Sequence, residues 1–157
     1  SATCYDFLNR ILPPQQIRQD HIAIARQTNR KDKVVGSKSA AQKIGGDIAG
    51  RIVLFPDPMG ATGSTLIEAI RLYRGLGTPL AFVALHCIVT PEYLARIRDD
   101  APELKVYAVR LDRGLSSQQV LATPPGTHWD KEKGLNSKDY IVPGGGGLGE
   151  LLNNSFV

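Results

Sequence analysis

The sequence predicts an α/β domain, a mainly parallel sheet with helices on both faces. Three observations carry that prediction. Nearly continuous apolar runs at 52–55, 80–89 and 104–111 read as strands covered on both sides. Segments with helical spacing separate these runs, the alternation that builds a parallel sheet. Finally, residues 51–65, RIVLFPDPMGATGST, follow the order strand, glycine- and hydroxyl-rich turn, helix. Ligands of such sheets bind beyond the strand C-termini, so residues 57–65 are the expected site. Their N–H groups, with the positive end of the helix dipole, suit an anion such as phosphate. Asp57, at the strand end, could accept hydrogen bonds from ligand hydroxyls, so a sugar phosphate would use both features.

Taken in order, residues 1–12 predict a helix with Phe7, Leu8, Ile11 and Leu12 on one side, stopped by Pro13 and Pro14. Residues 17–26 contain the apolar HIAIA from His21, read as a buried strand. Residues 26–33, RQTNRKDK, read as a solvated loop, and 34–50 as an irregular excursion without a clear period. After the central loop, Leu66, Ile67, Ile70 and Tyr73 follow helical spacing, and Thr65-x-x-Glu68 matches a capping box. Gly75, Gly77 and Pro79 end that helix. Residues 80–89 are the strongest strand signal. Thr90, Pro91 and Glu92 then supply a cap, a first-turn proline and a first-turn acid for a helix ending near Pro102. Residues 104–111 predict the next strand. From Asp112 the character changes, and 112–150 read as an irregular insert followed by a glycine-rich tail.

The chain has 157 residues, 42% of them hydrophobic and 22% charged, enough for a single domain over 1–157 with a real core. No apolar run approaches the ~20 residues that cross a bilayer, and no signal-peptide pattern opens the chain. Two cysteines, Cys4 and Cys87, make no disulfide framework, so a cytoplasmic location is the expectation. A net charge of +4, scattered along the chain, suits an anionic ligand better than nucleic acid. His86 and Cys87 read as a satisfied core histidine and a buried thiol, and His21 is treated alike. The three histidines and two cysteines lack metal-ligand spacing.

The stretch Asp57-Pro58-Met59-x-Ala61-Thr62-Gly63 resembles the phosphoribosyl pyrophosphate (PRPP) signature of type I phosphoribosyltransferases, in the form found in uracil phosphoribosyltransferases. The tail resembles the same family independently: Gly134-Leu135-Asn136, then Tyr140-Ile141-Val142-Pro143-Gly144, is similar to its uracil-binding segment. The resemblance implies a magnesium-dependent enzyme, usually a homodimer, that makes UMP and pyrophosphate from uracil and PRPP, with no membrane or nucleic-acid partner. Asp57 would take the catalytic place and hold ribose hydroxyls. Residues Pro58, Met59 and Gly60 would complete the PRPP loop. Ala61, Thr62, Gly63, Ser64 and Thr65 would cradle the 5′-phosphate, and Arg26 would contact PRPP. Ile141 and the backbone of Gly146, Gly147 and Leu148 would read the uracil edge. No protein metal ligand is assigned, magnesium being held through PRPP.

Three departures from the family qualify that transfer. The family's upstream Ile-Leu-Arg-Ala-Gly loop, which grips pyrophosphate, does not occur in the chain, which reads as lacking the N-terminal part. Gly147 stands where the family carries an aspartate associated with PRPP and metal, while Glu150 keeps the next acid. An insert over 115–133 separates two segments that the family joins closely, and it reads as a longer surface excursion rather than a lid. The alternatives are therefore a PRPP- or nucleotide-binding module with little turnover, or a transferase for another base.

Overall fold

The computed structural model describes residues 2–28 and 34–145, with side chains outside 25–41. Helix α1 (Ala2–Ile11) opens the chain, and a 3-10 turn (Pro14–Gln16) leads into an antiparallel pair, β1 (His21–Thr28) and β2 (Val34–Lys43). The second sheet comprises β3 (Ile52–Pro56), the two-residue β4 (Met59–Gly60), β5 (Ala81–Val89) and β6 (Leu104–Leu111). Between them lie α2 (Ser64–Arg74) and α3 (Pro91–Asp100), and α4 (Gln118–Leu121) follows β6.

Strand β5 is the centre of the parallel sheet. Its residues 81–85 pair with β3 and 88–89 with β4 along one edge, while β6 runs along the other. Alternation decides what each face buries. Val53, Phe82, Ala84 and Leu104 point one way, under Leu66, Ile67, Ile70 and Tyr73 of α2 and Tyr93 and Ile97 of α3. Phe55 stacks on Phe82 and meets Tyr73 edge to face, with ring centroids 6.1 and 5.8 Å apart. On the opposite face, Tyr5 and Leu8 of α1, with Leu12 just past it, share a groove with Leu54 and Val83. Helix α1 covers only part of that face: Tyr107 is 60% and Val109 88% exposed.

Several readings need correction. Residues 34–43, expected to be irregular, form β2, because β1 supplies backbone partners that a glycine- and serine-rich segment cannot advertise by hydrophobic period. The described side chains of β1, residues 21–24, are not buried: His21 is exposed and Ile22 half-buried, since a two-stranded pair has no second layer over both faces. Cys87 is exposed, because it alternates with His86 and so falls on the thinly covered face beside Leu85. His86 is a satisfied core histidine, as the apolar strand around it suggested.

Candidate active site

The PRPP-like loop follows the C-terminal end of β3 and runs beside the C-terminal half of β5. Asp57 is exposed; its N–H donates to Leu85 O (3.1 Å), and its Oδ1 accepts from Met59 N (3.1 Å). The carbonyl of the exposed Pro58 accepts from Cys87 N and Ile88 N, and the chain then re-pairs as β4. Buried Gly60 and half-buried Ala61 turn their carbonyls to Thr90, whose N donates to Gly60 O (3.1 Å) and whose hydroxyl donates to Ala61 O (2.7 Å). Thr62 Oγ1 and Ser64 Oγ lie 3.1 Å apart, and Arg96 Nη1 donates to Ser64 Oγ at 2.9 Å.

Gly63 makes the turn into α2 at φ +75°, a left-handed conformation that side chains rarely adopt. It is also the N-cap, so no side-chain cap closes the helix start. The expected capping box at Thr65 and Glu68 does not form. The glycine turn starts the helix at Ser64, which places Thr65 inside the first turn, and Glu68 instead lies 3.9 Å from Arg71. A helix start closed by glycine rather than by a capping side chain can accept an external anion.

Behind the loop stands a polar pair inside the core. His86 is 5% exposed; its Nδ1 donates to Asp57 O, and its Nε2 lies 2.7 Å from the Tyr93 hydroxyl. Burial pushes the His86 pKa down, against the opposing pull of the Asp57 carbonyl and carboxylate. Burial, then the Asp57 charge, drives the Tyr93 phenol up, so both rings are neutral near pH 7.

The tail comes to the same end of the sheet. Buried Asp112 accepts from Gly114 N (3.2 Å) and Gly144 N (2.7 Å), while Glu92 accepts from Gly134 N and Leu135 N at 3.0–3.1 Å. Val142 N donates to Gly134 O, and Leu135 bridges Ile141. Ile141 is 1% exposed and its carbonyl accepts from Gly145 N, so its side chain belongs to the packing. Gly144 and Gly145 show why side chains are excluded here. A Cβ on the first would strike Asp112 Oδ2, and one on the second would strike the Met59 methyl. The tail therefore reaches the PRPP-like loop through Met59. Gly146, Gly147 and Leu148 lie outside the described residues, and Arg26 sits on β1 with its side chain outside them.

The insert closes on itself. Ser117 caps α4, and the Arg113 guanidinium donates to the carbonyls of Val120, Leu121 and Thr123 and to Glu132 Oε1. That ion pair is buried, with the side chains 10% and 0% exposed, and Glu132 Oε1 also accepts from Gly126 N at 2.8 Å.

Sequence reasoning missed four residues that organise the site. Thr90 was read as a helix cap, and it is one, accepting from Tyr93 N at 3.0 Å, but its hydroxyl proton goes to the loop. Glu92 was read as a first-turn acid and in fact holds residues 134–135. Neither Tyr93 nor Asp112 carries a signal that separates it from ordinary core or loop positions.

Residues 5–128 match the family model for uracil phosphoribosyltransferase. A relative from Thermococcus sibiricus, named uracil phosphoribosyltransferase, is 35% identical over 98 residues, 62% of this chain and 34% of its own length. Another of that name, from Campylobacter fetus, is 31% identical over 127 residues, covering 80% of this chain and 50% of the relative. Among solved structures, the AQ2163 protein from Aquifex aeolicus superposes with a TM-score of 0.63 at 28% identity, over 85% of this chain and 51% of that one. The chain thus spans one third to about one half of the length of these relatives. With most of its length matched by the family model and its parallel sheet carrying the loop at the strand ends, the chain belongs to the uracil phosphoribosyltransferase family.

Proposed function

We propose that this chain carries the ribose-5-phosphate and base-binding parts of a uracil phosphoribosyltransferase, which transfers phosphoribosyl from PRPP to uracil to give UMP and pyrophosphate, as in pyrimidine salvage. The observation that supports this most is the meeting of two motifs far apart in sequence. The tail glycines abut Met59 of the PRPP-like loop, at the C-terminal end of the parallel sheet. The family-model match stops at residue 128, so the tail argues separately from it.

Asp57 would accept hydrogen bonds from ribose hydroxyls, and Ala61 to Thr65 would take the 5′-phosphate on amides and hydroxyls at the start of α2. Arg26 would approach PRPP from β1, and the backbone of Gly146 to Leu148, with Ile141, would match the imide edge of uracil. The transition state resembles a cation at C1′ as pyrophosphate leaves and a uracil nitrogen enters. The protein's work is then positioning and exclusion of water, with no covalent nucleophile. Among the described residues no three His, Cys, Asp or Glu side chains converge as a metal cage. Magnesium would be held through the PRPP oxygens, and no step is routed through a protein-held ion. We also propose a homodimer and a cytoplasmic location; no helix among the described residues is long and apolar enough to cross a membrane.

Incubation with uracil, PRPP and magnesium should yield UMP and pyrophosphate. No product from a full-length version of the protein would sink the transferase reading. A second reading, binding without turnover, is favoured by Gly147 in the place of the family aspartate. Saturable PRPP binding without pyrophosphate release would establish it. Product from another base but not from uracil would change only the substrate.

A further inference from the structure

The buried His86–Tyr93 pair has no part in the chemistry above, yet its hydrogen bonds end on the main chain of the one carboxylate assigned to the ribose. The Asp57 carbonyl can only accept, so His86 Nδ1 carries a proton. In the neutral ring Nε2 is then the acceptor, and the Tyr93 hydroxyl donates to it at 2.7 Å. The rings meet edge to face, with centroids 4.9 Å apart and planes at 78°. Tyr93 is 1% exposed and its ring lies under the loop: Cβ atoms built on Gly60 and Gly63 would come within 3.2 and 3.3 Å of it. Strand β6 presents Ala108 opposite His86 in register, and among the described residues the titratable groups that meet the ring are Tyr93 and Asp57.

We propose that His86 and Tyr93 are positioning residues for the sugar: the relay from the α3 hydroxyl through the imidazole to the Asp57 carbonyl sets the direction of the Asp57 carboxylate toward the ribose hydroxyls. The inference rests on the ribose-5-phosphate reading of this loop. The rest of the loop is held by other contacts: Thr90 bonds the Gly60 and Ala61 carbonyls, Arg96 donates to Ser64 Oγ, and Thr62 Oγ1 lies against Ser64 Oγ. Loss of the relay should therefore weaken ligands that carry the ribose and spare those that are phosphate alone.

The test is calorimetric titration of the full chain with ribose 5-phosphate and, separately, inorganic phosphate. His86→Leu removes the donor to Asp57 and should weaken ribose 5-phosphate about tenfold, with phosphate affinity unchanged. His86→Asn restores an N–H near the Nδ1 position and should recover most of that loss. Tyr93→Phe keeps the ring under Gly60 and Gly63 and removes only the hydroxyl. It should show a smaller loss of the same selectivity, and it carries the test if His86→Leu does not fold. Folded variants that bind ribose 5-phosphate as tightly as the wild type would overturn the proposal. So would equal losses for both ligands, which indicate a collapsed loop rather than a misdirected carboxylate. If the wild type binds neither ligand, the ribose-5-phosphate reading falls, and this inference with it. Wild-type binding with unaffected variants removes the inference alone.

Discussion

Residues 57–65 and the insert between Asp112 and Gly134 are both irregular, glycine-containing excursions from the same sheet, yet they settle their polar groups in different ways. The insert pairs mostly with itself, although Glu132 Oε2 is buried without a hydrogen-bond partner. Its guanidinium, its carboxylate and three backbone carbonyls answer one another around the buried Arg113–Glu132 pair. The loop is supported from behind, by Thr90, Tyr93, His86 and Arg96, while it presents an exposed carboxylate and a helix start closed by glycine. A segment that satisfies most of its own groups serves structure. A segment held from one side only has a surface left over for a ligand.

Substitutions should separate these two kinds of segment, and the largest effect is expected in the insert. Glu132→Ala leaves the Arg113 charge buried without its partner and should cost about 3–5 kcal/mol in chemical denaturation. UMP formation per folded molecule should be nearly unchanged; loss of activity without loss of stability would show that the insert faces the ligand. Asp57→Asn should do the reverse. The amide oxygen can still accept from Met59 N, so the thermal midpoint should hold, while turnover falls by about a hundredfold, about 2.7 kcal/mol in the barrier. Equal turnover in steady-state assays would remove Asp57 from the catalytic place proposed for it.

Thr90→Val lies between, because one hydroxyl serves both helix and loop. It should destabilise by about 1–3 kcal/mol and raise the KM for PRPP, through the stranded Ala61 carbonyl. A loss of stability without any change in KM would make Thr90 a helix cap only. The pH profile of stability tests the support behind the loop. The His86 pKa is depressed in the folded chain, so on acidification the unfolded chain takes the proton first. Thermal midpoints should therefore decline as pH drops below about 6.5, the unfolded value, and level off below the folded one. In His86→Asn that component should vanish. The smallest effect is Ser117→Ala, the long 3.4 Å cap of α4, at about 0.5 kcal/mol with binding untouched.

Much of this was legible in one dimension. The strands at 52–56, 81–89 and 104–111 announce themselves by unbroken apolar runs, and α3 by threonine, proline and acid in succession. The loop was legible because close backbone turns demand glycine and anion binding favours hydroxyls. Strand β2 was not, because its ladder bonds are formed by the backbone and leave no periodic trace in a segment such as VVGSKSAAQK. Nor was Cys87, whose apolar neighbours in sequence belong to two opposite faces of one strand.

The sequence by itself determined the class of fold, the place of the PRPP-like loop at a strand end and the family, since these depend on local period, turn chemistry and motif. Only the tertiary structure decided what stands behind that loop. Thr90, Glu92, Tyr93 and His86 act across 29 to 43 positions of chain or through a buried ring contact, and hydrogen bonds of that span are set by how α3 packs on β5. Residue type shows that a tyrosine can donate and a carbonyl accept; packing determines which two groups meet.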